Sequence, residues 1–119
     1  MGIYRITKSD NLNNMSSCWY IKEQDHSQQE IMGYFRQMIV DETEKECQVP
    51  KRVLCIPTEK DCLVGWGLIE YQNHHIEFTL MHYSLEEFYE HIAVEEGFTI
   101  GDEIAIPAMK HLNQREVVN

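Results

Sequence analysis

The sequence predicts an α+β fold: a mainly antiparallel sheet of about five or six strands with two amphipathic helices packed on it. Three observations lead to this fold class. Short runs of branched and aromatic residues alternate with polar loops, two capping-box patterns each precede a run with helical spacing, and one central hairpin has a self-consistent register. With 119 residues, 43% of them hydrophobic, the chain can form one core, so we expect a single domain over residues 1–119. Residues 110–119 are expected to fray.

The first part of the chain predicts two strands followed by a helix. Residues 2–7 and 18–23 are rich in branched and aromatic residues, and the polar stretch between them is predicted to be a loop. Ser27 and Glu30 have the spacing of a capping box, in which each side chain bonds to the backbone of the other. The helix that follows has an apolar face at 3.6-residue spacing. This face consists of Ile31, Tyr34, Phe35, Met38 and Ile39.

The middle of the chain predicts a polar end to this helix at residues 41–46, a strand at 52–56 that stops at Pro57, and then a hairpin. A two-residue turn at Gln72-Asn73 sets the hairpin register. On one face, bulky residues then cover glycines, since the register pairs Ile69 with Ile76, Gly67 with Phe78, and Gly65 with Leu80.

The second face of the hairpin is more apolar than a solvated sheet face needs to be. The same register pairs Val64 with Met81 on this face. Its apolar members are Val64, Trp66, Leu68, Met81 and Tyr83. Two interpretations stay open: another element of the chain covers the face, or the face is a partner or dimer surface, because Trp, Tyr and Met are enriched in interface cores.

The last part of the chain predicts the second helix and two short strands. Ser84 and Glu87 form another capping box, and Gly97 is suited to end the helix. Residues 98–106 are predicted to form strands around a turn. The buried stripe of the helix is predicted to be Leu85, Phe88, Tyr89 and Ile92.

The formal net charge of −10 arises entirely from one segment, residues 61–109, which contains no Lys or Arg. The remainder of the chain has ten acidic and ten basic residues and is neutral. A strongly acidic segment disfavours binding to nucleic acid or anionic lipid, so we expect neither as a partner. It favours a basic protein partner. The acids of the segment are Asp61, Glu70, Glu77, Glu86, Glu87, Glu90, Glu95, Glu96, Asp102 and Glu103.

No catalytic signature is present in the sequence, so we expect a protein without enzyme activity, catalytic residues or cofactors. The four cysteines contain no C-x-x-C spacing, which argues against a zinc knuckle or a thioredoxin-type pair, and a reduced cytoplasmic protein is expected. The N-terminal residues lack the apolar stretch of a secretory signal, which agrees with a cytoplasmic location.

Histidines offer an alternative function, because four of the six lie in the acidic segment. The hairpin register places Glu70 opposite His75, and Glu77 lies on the same face as His75. A metal- or small-ligand-binding module around Trp66, His75 and Glu77 is therefore one alternative, although no metal-binding motif is present and we assign no metal ligand. Surface histidines in an acidic field are the simpler account. The other alternative is a homo-oligomeric module, for instance a homodimer, that buries the hairpin face of Val64, Trp66 and Met81 against itself.

The function that we expect from these observations is binding and inhibition. A small acidic domain without catalytic equipment suits an immunity protein or inhibitor that blocks the nucleic-acid-binding or active-site cleft of a nuclease toxin or a defence nuclease. The acidic residues would attract the basic partner, and a few aromatic residues would hold it. The expected contacts are Glu86, Glu87, Glu90, Glu95, Glu96, Asp102, Glu103, Trp66, Tyr83 and Tyr89.

Overall fold

The computed structural model describes residues 2–12 and 15–92, which form a five-stranded antiparallel sheet with one long helix on one face. The α+β class and the antiparallel sheet are confirmed. The strands are β1 (Gly2–Asp10), β2 (Met15–Lys22), β3 (Arg52–Lys60), β4 (Leu63–Glu70) and β5 (His75–Ser84). Their order across the sheet is β2-β1-β5-β4-β3, so β1 and β5 pair at its centre. A short 3₁₀ turn (Glu23–Asp25) leads into the helix α1 (Gln28–Lys45).

The first hairpin extends further into the polar segment than predicted. The loop expected between residues 7 and 18 is shorter, because β1 continues to Asp10 and β2 already begins at Met15. All the extra residues except Met15 are polar, and Lys8 and Ser9 pair with Ser17 and Ser16. They form strand because β1 is hydrogen-bonded on both sides, to β2 and to β5, over its whole length. Tertiary pairing here overrides local preference.

Helix α1 begins at the predicted capping box and packs the predicted face on the sheet. The Glu30 amide donates to Ser27 Oγ at 3.2 Å, and the Ser27 amide donates to Glu30 Oε1 at 3.4 Å. Tyr34 lies partly buried at the edge of the core. The fully buried members of the helix face are Ile31, Phe35, Met38 and Ile39.

The polar end expected for α1 at residues 41–46 is wrong, since the helix continues to Lys45. Asp41 and Glu42 are buried there rather than exposed. Each is compensated by a polar partner: Gln37 Nε2 donates to Asp41 Oδ1 at 2.8 Å, and Lys8 Nζ lies 2.9 Å from Glu42 Oε2. Buried carboxylates with such partners are tolerated in a helix that the core already holds.

The register of the β4–β5 hairpin is confirmed except at its open end. The Tyr71 amide donates to the His74 carbonyl at 2.8 Å across the predicted turn. The predicted pairs from Glu70–His75 to Gly65–Leu80 are all present. Val64, however, is an extra residue in a bulge, so Leu63 faces Met81 instead, and Val64 packs against the core.

Glycines in β4 allow α1 to approach the sheet closely. A Cβ atom at Gly65 would lie 3.2 Å from the ring of Phe35, and one at Gly67 would lie 2.4 Å from Ile39 Cδ1. The helix side chains therefore occupy the space above the glycines on β4, while Phe78 and Leu80 fill the neighbouring positions on β5. The core sits between this part of the sheet and α1.

Strand β3 does not end at Pro57 as predicted. It runs to Lys60, with Pro57 opposite Gly65 and a local irregularity between Pro57 and Lys60. Proline is tolerated because, within the described residues, β3 lies at an edge of the sheet, where one backbone side has no neighbouring strand.

The second amphipathic helix is not confirmed. The capping box of Ser84 and Glu87 is present, but it opens a single helical turn, α2 (Leu85–Glu87), followed by a π-helical turn (Phe88–Ile92). Leu85, predicted to be buried, is 44% exposed, whereas Phe88 is fully buried. The expected helix end at Gly97, the strands at 98–106 and the tail at 110–119 lie outside the described residues.

Candidate binding surface

Two distant parts of the acidic segment come together at one end of the sheet. Cys62, in the turn between β3 and β4, has its Sγ 3.9 Å from Glu87 Oε2 at the start of α2. The Cys62 carbonyl also accepts a hydrogen bond from the His82 amide at 2.8 Å, which ties the turn to β5. Burial raises the pKa of the Cys62 thiol, and the carboxylates of Glu87 and Asp61 raise it further.

We call this region the acidic end and define it by the exposed carboxylates of Asp61, Glu86, Glu87 and Glu90. Asp61 adopts a left-handed backbone conformation, with φ of 54°, which turns the chain tightly from β3 into β4. Three of the predicted contact residues, Glu86, Glu87 and Glu90, belong to the acidic end. Four others, Glu95, Glu96, Asp102 and Glu103, lie outside the described residues.

The acidic residues in the strands are engaged with neighbouring side chains. Glu70 Oε2 lies 3.4 Å from Arg52 Nη2, which belongs to the neutral part of the chain. Glu77 Oε2 accepts a hydrogen bond from Trp66 Nε1 at 3.0 Å. Of these two strand acids, Glu70 is paired with a cation, whereas Glu77 stays charged and exposed. The acidic end holds four carboxylates, so it carries more of the described negative charge than the strands of the hairpin do.

The predicted aromatic contacts lie on two neighbouring elements. We call the sheet face opposite α1 the outer face. Its partly buried apolar members on β3, β4 and β5 are Leu54, Leu63, Trp66, Leu68, Met81 and Tyr83. Val64 was predicted on this face but packs on the core side. Tyr89 lies on the π-helical turn, with its ring 5.5 Å from that of Phe88. Phe88 in turn contacts Tyr20 of β2 at 5.5 Å.

Metal binding finds no support in the geometry that the structure describes. Across residues 2–12 and 15–92, no group of three or more His, Cys, Asp or Glu side chains is placed to hold a metal ion. Glu70 does lie opposite His75, as predicted, but its carboxylate contacts Arg52.

His74 is buried, unlike a surface histidine in an acidic field. His74 is only 6% exposed and stacks on Tyr71, with ring centroids 4.7 Å apart and an interplanar angle of 14°. Its Nδ1 lies 3.0 Å from Asn73 Oδ1, and its Nε2 lies 3.9 Å from Glu46 Oε1. Burial, together with Glu46 and Glu42, raises the pKa of Tyr71. The sequence could not indicate this cluster, because Glu46 reaches it only through the unexpected length of α1.

A small cleft between α1 and the first hairpin also escaped the sequence analysis. It has a volume of about 160 Å³, with Trp19, Met38 and Phe78 as its apolar lining. Lys8, Glu42 and Lys45 lie at its polar side, where Glu42 Oε2 is 2.9 Å from Lys8 Nζ and 3.9 Å from Lys45 Nζ. The lysines are thus used to compensate a carboxylate of the chain itself.

His82 and Glu23 join the two ends of the described chain. His82 Nε2 lies 3.0 Å from Glu23 Oε2, and the same oxygen accepts a hydrogen bond from the Gly2 amide at 2.6 Å. The His82 contact and the Gly2 amide hold the pKa of Glu23 below its ordinary value. Glu23 thereby connects the start of β1, the end of β2 and β5.

The free energy of unfolding is expected to depend on this carboxylate in acid. A lowered pKa stabilises the folded state above the ordinary value of 4.5, and that contribution is lost as the pH falls through the folded-state pKa. Glu23→Gln should therefore be less stable than the wild type at pH 7 and equal to it in strong acid. We expect the free energy of unfolding to be lower by about 0.5 kcal/mol at pH 7, because solvent screens the partly exposed pair of Glu23 and His82.

Urea denaturation of both proteins at several pH values measures this difference. Glu44→Gln, which removes an exposed carboxylate from α1, is the matched control for the loss of one negative charge. A Glu23→Gln difference that stays constant from neutral pH to strong acid would contradict the assignment.

The comparisons with known proteins give no match from which a function of the acidic end or the outer face could be inferred. No protein-family model, curated protein or solved structure matches the chain. None of the helices within the described ranges has both the length and the apolar character needed to cross a membrane.

Proposed function

We propose that this chain is a non-catalytic binding protein that neutralises a basic protein partner. The target that best suits its charge is the nucleic-acid-binding or active-site cleft of a nuclease, so the chain would act as an immunity protein or nuclease inhibitor. The proposal assigns no catalytic residue, no cofactor, and neither nucleic acid nor membrane as a partner.

The observation that supports this proposal is the convergence at the acidic end. Asp61 and Glu87 are 26 positions apart in sequence, yet both act on the same Cys62 thiol. From residue 61 to residue 92 the sequence contains no Lys or Arg, although Lys60 directly precedes Asp61. A nuclease cleft carries Lys and Arg for the phosphate backbone, which makes it the electrostatic complement of such a surface.

The partly exposed aromatic residues supply the second requirement of a stable complex. Charges at an interface speed association, whereas buried aromatic side chains hold the complex together. Trp66 and Tyr83 are both partly accessible on the outer face, and Tyr89 lies on the π-helical turn beyond the acidic residues of α2. A partner that covers the acidic end and the adjoining part of the outer face would meet both kinds of contact.

Charge reversal at the acidic end tests the proposal. The immobilised chain is incubated with a lysate of its native host at low salt. The basic proteins that it retains are identified and tested for nuclease activity. The rate at which the chain associates with the retained protein is then measured. Glu86→Lys should lower the association rate by about threefold or more at low ionic strength, and salt should remove the difference. Glu87 is left unchanged because it belongs to a capping box.

Glu44→Lys is the control, since it makes the same charge change at an exposed position of α1. It should leave the association rate close to that of the wild type. Equal association rates for Glu86→Lys and the wild type at low salt would contradict the proposal. So would a result in which the chain inhibits the nuclease activity of none of the proteins that it retains.

A further inference from the structure

The two outer strands of the sheet differ in how they are protected. Within residues 2–12 and 15–92, β2 and β3 each pair with a neighbour on one side only, and such an edge can accept another strand. Ser16 and Ser17 make the beginning of the β2 edge polar. Neither strand is charged in its central part, but the apolar residues Tyr20 and Ile21 of β2 are buried, whereas Val53 and Ile56 of β3 are each 44% exposed.

Only the first part of β3 is open to pairing. Pro57 has no amide hydrogen to donate, and the strand is irregular between Pro57 and Lys60. The charged residues Glu59 and Lys60 follow in the same stretch. Bulges, prolines and charges of this kind are how natural edges resist further pairing. A second strand would therefore be confined to the apolar residues between Arg52 and Pro57.

We propose that β3 pairs antiparallel with β3 of a second copy of this chain, across a two-fold axis at Cys55, to form a continuous sheet. An axis perpendicular to the sheet keeps every residue on its own face. Leu54 then lies opposite Ile56 of the second copy on the outer face, and Val53 lies opposite its Pro57 on the other face. All opposed side chains from 53 to 57 are apolar.

Neighbouring registers are less favourable. A shift of two residues in one direction places Arg52 opposite Lys60 of the second copy, and the shift in the other direction places Arg52 opposite Ile56. Within one chain, Leu54 already pairs with Leu68, and Ile56 pairs with Trp66. In the proposed register, these apolar side chains of one copy lie next to the same apolar side chains of the second copy. The strand is therefore complementary to a second copy of itself.

Light scattering over a range of protein concentrations tests the association. The wild-type mass should rise from 14.1 kDa towards twice that value. Ile56→Lys should raise the dimer dissociation constant about tenfold or more, because each copy loses an apolar contact and gains a charge at the edge. Val40→Lys is the matched control: Val40 is 45% exposed but lies on α1, so its dimer should be unchanged.

A wild-type protein that stays monomeric at every concentration would overturn the proposal, as would equal dissociation constants for Ile56→Lys and Val40→Lys. If Ile56→Lys fails to fold, Val53→Lys makes the same test on the other face of the strand. Failure of this dimer would leave the acidic end and its charge-reversal test untouched.

Disulfide cross-linking tests the register. Facing residues in antiparallel strands have Cα atoms about 4.5–5.5 Å apart, within the range that a disulfide spans. The exposed Cys47 is first replaced by serine, and oxygen with a copper catalyst then removes two electrons and two protons from each pair of thiols. Burial raises the pKa of Cys55, so the reaction is run in mild alkali.

We expect a covalent dimer that is lost in a Cys55→Ser variant. A link that maps to Cys18 or Cys62, or no link in a sample that light scattering shows to be dimeric, would overturn the register.

Discussion

Replacing Phe35 by alanine is expected to lower the free energy of unfolding by about 3–5 kcal/mol. Phe35 is completely buried on α1, and its ring covers Gly65 of β4 at 3.2 Å from the position of a Cβ atom. Because glycine has no side chain to fill the space, removal of the ring leaves a cavity between helix and sheet. A loss of this size is a large part of the stability of an ordinary domain.

Urea denaturation followed by circular dichroism measures the loss. Arg36→Ala is the control, since Arg36 is the next residue of the same helix and is exposed. It should change the free energy of unfolding by less than about 0.5 kcal/mol. A Phe35→Ala loss below about 1 kcal/mol would contradict the packing of α1 on β4.

Gly67→Ala is expected to cost about 1–3 kcal/mol, although it adds a single methyl group. That methyl would lie 2.4 Å from Ile39 Cδ1 and 3.3 Å from the Leu54 carbonyl oxygen. Ile39 is 1% exposed and has little freedom to move away. The same substitution at Gly33 is the control: no atom lies within 4 Å of its Cβ position, and alanine should stabilise the helix by up to about 1 kcal/mol.

A second substitution tests the cause of the Gly67→Ala loss. Ile39→Val removes Cδ1 and alone should cost about 0.5–1.5 kcal/mol. In the Gly67→Ala background it makes room for the new methyl, so the double variant should be more stable than the sum of the single losses predicts. Strict additivity in urea denaturation would show that the two side chains do not collide.

The sequence allowed the register of the central hairpin to be predicted because the pairing left only one consistent solution. Gly65 and Gly67 had to face large residues, and a shift of one position would have exchanged the two faces of each strand. The bulge at Val64 could not be predicted from the pairing pattern. Leu63 and Val64 are both apolar, so nothing in their pattern shows which of them faces Met81.

Local signals also failed where distant partners decide the structure. Asp41 and Glu42 are typical of a helix end, but Gln37 and Lys8 compensate them and α1 continues. Pro57 is typical of a strand end, but an edge position accommodates it. The capping box at Ser84 correctly predicted a helix start but not the length of the helix. Up to residue 92, where the described part of the chain stops, one α-helical turn and one π-helical turn follow.

The residues of the candidate binding surface could be predicted from the sequence, but their positions relative to one another could not. The acidic segment was visible as a run without Lys or Arg, and Glu86, Glu87 and Glu90 were named from it. Its most informative contact, between the Cys62 turn and Glu87, depends on β3–β4 reaching the end of β5, which no local pattern encodes. Likewise, the sequence placed Glu70 opposite His75 but did not show that its carboxylate lies 3.4 Å from Arg52 Nη2.

The position of β1 inside the sheet, between β2 and β5, has a consequence for the synthesis of this protein on the ribosome. Gly2 pairs with Ser84 at the end of β5. The ribosome therefore adds some eighty residues after Gly2 before the strand that pairs with β1 is complete. Until then the β1–β2 hairpin exposes the edge that will later lie in the middle of the sheet. Folding is therefore expected to be completed late, in one cooperative step after β5 has left the exit tunnel, rather than progressively from the N-terminus.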